Sequence, residues 1–358
     1  MSFFLTYILV ATLLFAFTAV FTLFALYSER KISAFIQDRL GPMEVGKYGS
    51  LQAFADIIKM LQKEFIVPTA ADKILFILAP TVIFVSVYLG FAALPWAPGL
   101  IPASLNLGIF YIFAILSIET LGILMAGWGS NNKYALLGSM RSVAQMVSYE
   151  IPAGIAIISV VMISQSLNLQ EISVKQGILS LDSIKFLGVW DVKAVGGFLS
   201  WNIFQAPHLL IAYLIYFIAS LAECNRAPFD IPEAESELVA GFHIEYSGLR
   251  FAFVFLAEYS MMFLVGMIGV IMFLGGWNSP LPNIGSVKLA TITTGIGWGI
   301  FWVLTKTLAV VAVQIWIRWT LPRLRVDQLM NLCWKVLTPL AFLCMLISGI
   351  WRLMVMQN

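Results

Sequence analysis

The sequence predicts an all-α polytopic membrane protein with about eight transmembrane helices, an amphipathic in-plane helix and a structured acidic cytoplasmic loop. Of the 358 residues, 60% are hydrophobic and only 11% are charged, whereas a soluble domain carries about 25% charged residues. The mean hydropathy is +0.91. Eight apolar segments are long enough to cross a hydrocarbon layer of roughly 30 Å.

The apolar segments define one membrane domain that covers residues 1–358. We place the spans near 3–27, 74–94, 105–127, 143–164, 203–223, 251–277, 290–317 and 336–356. The connecting segments 28–73, 128–142, 224–250 and 318–335 carry fifteen Lys or Arg, and the opposite set carries five. Basic loops stay in the cytoplasm. We therefore expect the first set to be cytoplasmic and both termini to lie on the other side.

The composition excludes several kinds of site. Cys224, Cys333 and Cys344 have no CxxC spacing, and the chain has two histidines, so neither an iron–sulfur cluster nor a metal site is expected. Neither GxGxxG nor GxxxxGK[ST] is present, which argues against nucleotide binding in those ways. We expect no nucleic-acid partner. Segment 165–202 is read as an outer loop that can form a hairpin and carries no chemistry.

The first cytoplasmic segment contains the predicted in-plane helix. Its apolar residues at 51, 54, 57, 58 and 61 have the spacing of one helical face. The helix is too short to span, so we expect it to lie along the membrane with Lys59 and Lys63 toward water. An ordinary loop helix with snorkelling lysines is the alternative.

The second feature is an acidic segment after the fifth span. Six of the nineteen acidic residues fall between Glu223 and Glu245. Crowded carboxylates resist ionising together, so some should hold protons near neutral pH. Asp230 and Glu233 fit a capping box, and Glu223 could pair with Arg226. The alternative is a solvated acidic loop with a helix cap.

Glu119, Glu150 and Glu258 fall inside predicted spans. A charge at mid-membrane costs at least about 2.5–3.5 kcal/mol, so such residues usually face the bundle interior and serve a function. With Lys306 as a partner, they indicate a polar path through the bundle. Structural hydrogen bonds between helices are the alternative. A lone loop histidine such as His243 is typical of a hydrogen-bonding residue, and we do not place it in the site.

Several ordered motifs carry a resemblance to a known family over essentially the whole chain. They are Glu29-Arg30-Lys31, Asp38-Arg39-Leu40-Gly41-Pro42, Phe54-Ala55-Asp56, Gln145 to Glu150, Glu223 to Asp230, Glu233 to Tyr246, and Ala257-Glu258-Tyr259. The sequence resembles the H-type membrane subunit, which forms the quinone chamber, of proton-pumping NADH:quinone oxidoreductase, respiratory complex I.

The resemblance implies a multi-pass subunit of a bacterial inner membrane that forms the quinone-access chamber and couples quinone reduction to proton translocation. Quinone would bind at the interface with peripheral-arm subunits, and NAD and iron–sulfur clusters would belong to partner subunits only. Small and antiporter-like membrane subunits and lipids are further implied partners. The chain alone would have no catalytic residues.

The same resemblance assigns the site residues. The implied quinone-chamber residues are Arg30, Arg39, Asp56, Lys59, Glu223, Arg226 and Asp230, with 251–255 near the entrance. The implied proton relay consists of Glu119, Glu150, Glu223, Glu233, Glu235, Glu237 and Glu258.

The chain departs from the family pattern in the first loop, where Met43-Glu44 replaces a usual Asn-Arg pair and Ala53 replaces a common proline. The resemblance therefore does not determine the detailed shape of the chamber floor or the quinone preference. The homologous subunit of a membrane-bound hydrogenase or of a photosynthetic-type NDH complex is the near alternative. A stand-alone ion-coupled transporter is the remote one, because it usually needs a broken-helix site and an inverted repeat.

Overall fold

The structure, a computed structural model, describes residues 3–178, 180, 184–188, 190–231, 238–283 and 288–355. Within these ranges the regular secondary structure is helical apart from one short hairpin, which confirms the all-α prediction. The helices are α1 Phe3–Ile36, α2 Gln52–Gln62, α3 Lys73–Gly90, α4 Gly108–Gly129, α5 Lys133–Ser164, α6 Leu169–Lys175, α7 Asn202–Gln205, α8 His208–Glu223, α9 Gly248–Phe273, α10 Leu289–Ile292, α11 Ile296–Thr320, α12 Val326–Asn331 and α13 Thr338–Val355.

In the described ranges, seven helices are long and apolar enough to cross a membrane: α1, α3, α4, α5, α9, α11 and the continuous helical unit Val326–Met354. In the last of these, a π-helical stretch, Leu332–Leu337, joins α12 to α13. The eighth apolar helix, α8, has 16 residues and is therefore only about 24 Å long. Large apolar side chains stay exposed along the outside of the bundle, including Phe4 and Val20 of α1 and Leu353 of α13. Such a surface is suited to lipid rather than water.

Two helices extend well beyond the apolar runs that predict them. Helix α1 continues to Ile36, because Glu29, Arg30 and Lys31 end the hydrophobic run but are good helix formers. Helix α5 begins at Lys133, where the Asn132 side chain caps it by accepting a hydrogen bond from the Tyr134 amide at 2.9 Å. Much of the segment predicted as loop 128–142 is therefore helical.

Close helix contacts depend on small residues. At Gly122 of α4, an added Cβ would lie 3.0 Å from the backbone nitrogen of Ile83 in α3. At Gly138 of α5, it would lie 2.8 Å from the Cα of Gly241. Small residues of this kind let helix backbones approach one another in membranes.

Helix α9 is the central element of the bundle. It contacts α1, α2, α3, α8 and α11, and every residue from 259 to 273 is buried. The first ten residues of α9 are less enclosed, and they face the site described below.

Segment 165–202, which is predicted to be an outer loop, contains the hairpin that the sequence allowed. Strands β1 Lys185–Phe186 and β2 Trp190–Asp191 pair antiparallel. Helix α6 precedes the hairpin, and a 3-10 turn, Gly197–Ser200, follows it.

Candidate functional site

An apolar cavity of about 310 Å³ lies between α1, α2 and α9. All three helices contribute to its lining, among them Leu26 of α1, Ala53 of α2 and Phe253 of α9. The segment predicted to lie at the chamber entrance supplies three of its lining side chains, Ala252, Phe253 and Phe255. The cavity is suited to an apolar molecule.

A second, polar cavity of about 240 Å³ adjoins it. Its lining includes four arginines from three parts of the chain, Arg30, Arg39, Arg226 and Arg318, together with Glu29 and Glu258. Leu26, Arg30 and Phe255 line both cavities. The boundary between the apolar and the polar space therefore includes these three side chains.

Arg30 is held at that boundary by α2. Its guanidinium lies 2.5 Å from Asp56 Oδ2, and Gln52 Nε2 donates to Asp56 Oδ1 at 3.1 Å. The pair fixes the guanidinium between α2 and the end of the apolar cavity. Two predicted chamber residues are thus brought together.

The polar cavity has a buried ion cluster at its wall, and Glu29 is its centre. Tyr259 donates its hydroxyl to Glu29 Oε2 at 2.6 Å, and Arg318 pairs closely with Glu29 Oε1. Arg226 Nη1 lies 3.6 Å from Glu29 Oε2. Burying a carboxylate is costly unless it is paired and hydrogen-bonded, and here both oxygens have partners.

The cluster continues to a second carboxylate on α9. Arg226 Nη2 lies 4.0 Å from Glu258 Oε2, and His243 Nε2 lies 3.1 Å from Glu258 Oε1. The Arg226 guanidinium also stacks on the Tyr259 ring, 4.3 Å from its centroid. Charge is therefore shared over a connected group of side chains rather than over isolated pairs.

The carboxylates deeper in the bundle lie next to this cluster. Glu150 accepts a hydrogen bond from Ser117 at 2.5 Å, and it shares the lining of a small cavity of about 10 Å³ with Glu223. Glu119 is buried in α4 and interacts electrostatically with Glu258 and Glu223. Of the seven predicted relay residues, these four lie in one region of the bundle. Glu233, Glu235 and Glu237 lie outside the described residues.

The loop between α8 and α9 returns to the bundle at Tyr246. Its ring stacks on Phe76 of α3 with centroids 4.3 Å apart, and its hydroxyl donates to the Phe76 carbonyl at 3.3 Å. Burial raises the pKa of the Tyr246 hydroxyl, so the side chain stays neutral and the anchor does not titrate near neutral pH.

Lys306 does not pair with the buried glutamates, contrary to the prediction. Its ammonium donates to the carbonyls of Leu274, Gly276 and Asn278 at 2.8, 3.0 and 2.7 Å. An ammonium has three donors, and all three are used beyond the end of α9. Its role is to fix that end of the helix.

For three further predicted residues, the structure shows a position or an ion-pair partner other than the predicted one. Lys59 is exposed on α2 and lines neither cavity. Asp230 pairs with Arg323 at 2.8 Å and is absent from the linings of the two cavities, so its place in the chamber stays a prediction. Among the described residues, Arg226 forms its ion pairs with Glu29 and Glu258 rather than with Glu223.

Sequence reasoning missed four members of the cluster: Glu29, His243, Tyr259 and Arg318. Glu29 and Tyr259 stood in recognised motifs but had no assigned role. Their contacts join α1, α9 and α11 across more than 200 positions, and no local pattern reports such pairing. His243 is predicted to be a hydrogen-bonding residue outside the site, and its imidazole Nε2 lies 3.1 Å from Glu258 Oε1, next to the cluster.

Comparison with known proteins gives consistent matches over almost the whole chain. The model of the NADH dehydrogenase family matches residues 8–349. A protein of Cytophaga hutchinsonii, named as a second H-type subunit of NADH-quinone oxidoreductase, is 55% identical over 347 residues, which cover 92% of this chain and 95% of the relative. The H-type NADH-quinone oxidoreductase subunit of Chlorobium luteolum is 57% identical and covers 97% and 90%. That of Bacteroides thetaiotaomicron is 41% identical with the same coverage.

Proposed function

The chain belongs to the NADH dehydrogenase family, and from that membership we propose that it is the H-type membrane subunit of a proton-translocating NADH-quinone oxidoreductase. Quinone is then the substrate of the assembly. Electron donors and redox centres belong to its partner subunits. The relatives' shared name favours this reading over the hydrogenase and transporter alternatives.

One observation carries the mechanistic proposal: the apolar and the polar cavity adjoin beside a buried ion cluster. We infer that quinone leaves the lipid through the space between α1, α2 and α9, where apolar side chains suit its isoprenoid tail. Its polar head group then reaches the cavity lined by Arg30, Arg39 and Arg226. The cationic wall would favour the negative charge that develops when quinone is reduced.

The ion cluster supplies a route for coupling. A negative charge in the polar cavity attracts the arginines that neutralise Glu29 and Glu258. A carboxylate that loses its cationic partner binds a proton more readily. The change would pass from Glu258 to Glu119 and Glu223, and then to Glu150. This relay feeds proton translocation elsewhere in the membrane arm.

The test is Glu150→Gln in the assembled enzyme. Glutamine keeps the shape and the hydrogen bond to Ser117 but cannot lose or gain a proton. We expect NADH:quinone turnover and proton pumping to fall together by about tenfold or more, while reduction of a soluble acceptor by the peripheral arm stays normal.

The matched control is Glu171→Gln, the same change in α6 of the outer loop. It should leave all three activities unchanged. Normal pumping in Glu150→Gln would remove this residue from the relay.

A further inference from the structure

We propose that Lys31 is a positioning residue that folds the loop 38–50 against α1 and thereby holds Arg39 at the polar cavity. The inference rests on the proposed quinone-chamber function and extends it to a residue with no assigned role. Lys31 follows Arg30 directly, but lines neither of the two cavities. Its side chain contacts the loop instead.

The Lys31 ammonium lies against the backbone of the loop. It donates to the Pro42 carbonyl at 2.8 Å and to the Leu40 carbonyl at 3.4 Å, and it lies 3.5 Å from Met43 Sδ. Within the described residues, no carboxylate lies within ion-pair distance of it. Its charge therefore serves to bind carbonyl oxygens, and the three contacts cover the residues directly after Arg39.

The rest of the loop is shaped to stay in this position. Gly49 has φ +73, and a Cβ there would lie 2.3 Å from the Pro42 oxygen that Lys31 binds. Tyr27, one helical turn before Lys31, donates its hydroxyl to the Tyr48 carbonyl at 3.2 Å. The loop thus contacts the last turns of α1 near both of its ends, because Lys31 binds the Pro42 carbonyl and Tyr27 binds the Tyr48 carbonyl.

The loop in turn determines where Arg39 lies. The Arg39 amide donates to the Ala34 carbonyl at 2.8 Å at the end of α1, and its side chain lines the polar cavity. The Arg39 side chain is exposed, and none of the ion pairs described above involves it. Its direction therefore depends on the backbone at 38–43, which Lys31 holds from the other side.

The departure from the family pattern lies at this contact. Where the family usually has an Asn-Arg pair, this chain has Met43-Glu44, and the Met43 sulfur faces the Lys31 ammonium. A thioether is a weak acceptor. The two carbonyls therefore supply most of the contact between Lys31 and the loop.

The experiment measures quinone kinetics of the assembled enzyme in membranes, with a soluble acceptor as a check on the peripheral arm. Lys31→Met removes the ammonium and keeps an unbranched chain. We expect the apparent KM for quinone to rise about three- to tenfold, as for one lost hydrogen-bonded contact, with little change in kcat. Lys31→Arg should restore most of the wild-type KM, and the exposed Lys335→Met should change nothing.

The double variant Lys31→Met/Arg39→Gln shows whether Lys31 acts through Arg39. If it does, the double variant has the KM of Arg39→Gln alone, because the loss of Lys31 cannot displace an arginine that has already been replaced. Additive effects would overturn the positioning role. Gly49→Ala displaces the Pro42 carbonyl while Lys31 itself is unchanged, and it should also raise KM.

The outcomes separate this inference from the proposed function. An unchanged quinone KM in Arg39→Gln would count against the chamber itself. A raised KM in Arg39→Gln, with a wild-type KM in Lys31→Met, would overturn only the role of Lys31.

Discussion

Glu29 shows how one residue organises the polar cavity. Its two oxygens bind Tyr259 and Arg318, and Arg226 lies nearby. Removing one partner of such a buried pair costs about 3–5 kcal/mol, because an uncompensated charge remains. The side chains of the cluster therefore respond to a new charge as a group, which is the property that a coupling element needs.

A variant of Arg30 tests whether this residue contributes to quinone binding. Arg30→Ala removes the cation at the boundary of the two cavities and leaves Asp56 without its partner. We expect the apparent KM for quinone to rise about tenfold, in line with the loss of one charge-assisted contact. Steady-state titration of the assembled enzyme with quinone measures it.

The control for this variant is Arg325→Ala, at an exposed arginine outside both cavities. Its quinone kinetics should match those of the wild type. If Arg30→Ala also matches the wild type, Arg30 has no part in the quinone path.

At the scale of the element, α2 has three distinct faces. Leu51, Phe54, Ile58 and Leu61 form an exposed apolar stripe, while Ala53, Asp56, Ile57 and Met60 line the apolar cavity. Lys59 and Lys63 are exposed. The helix itself is confirmed, and its exposed apolar stripe supports the in-plane orientation, which stays a prediction.

Ala53 makes the cavity face of α2 testable, because it is 3% exposed and has a small side chain. Ala53→Leu should fill part of the cavity that Ala53 lines. We expect a raised KM for long-tailed quinones and a smaller effect on short-tailed analogues. Kinetics with a series of tail lengths measure this difference.

Ala53→Ser serves as the volume-matched comparison and should behave like the wild type. Equal effects of Ala53→Leu on all tail lengths would argue that the tail does not pass along this face.

At the scale of the whole molecule, sequence alone predicted the helical bundle well. Hydropathy identifies the helices because lipid requires long apolar runs with internally paired backbones. It could not place the end of α1 or the start of α5, since charged helix formers end a hydrophobic run without ending the helix. The ion cluster was equally hidden, because Glu29 and Arg318 meet only when α1 and α11 pack together.

The predicted orientation also belongs to this scale. The three natural cysteines are buried, so single cysteines introduced at exposed Asp191 or Glu44 can report sidedness. We expect a membrane-impermeant maleimide to label Asp191→Cys in cells with a permeabilised outer membrane. Glu44→Cys should react only after the inner membrane is opened, and the reverse pattern would invert the orientation.

The anchoring of α9 has a mechanical consequence. Lys306 ties the carbonyls beyond one end of this helix, and the stretch 259–273 is packed on all sides. Close-packed interiors do not slide gradually, so we expect α9 to stay in place rather than to move along its axis. In the proposed relay, a change of charge at Glu258 would therefore pass on by transfer of a proton or rotation of a side chain, without movement of the helix.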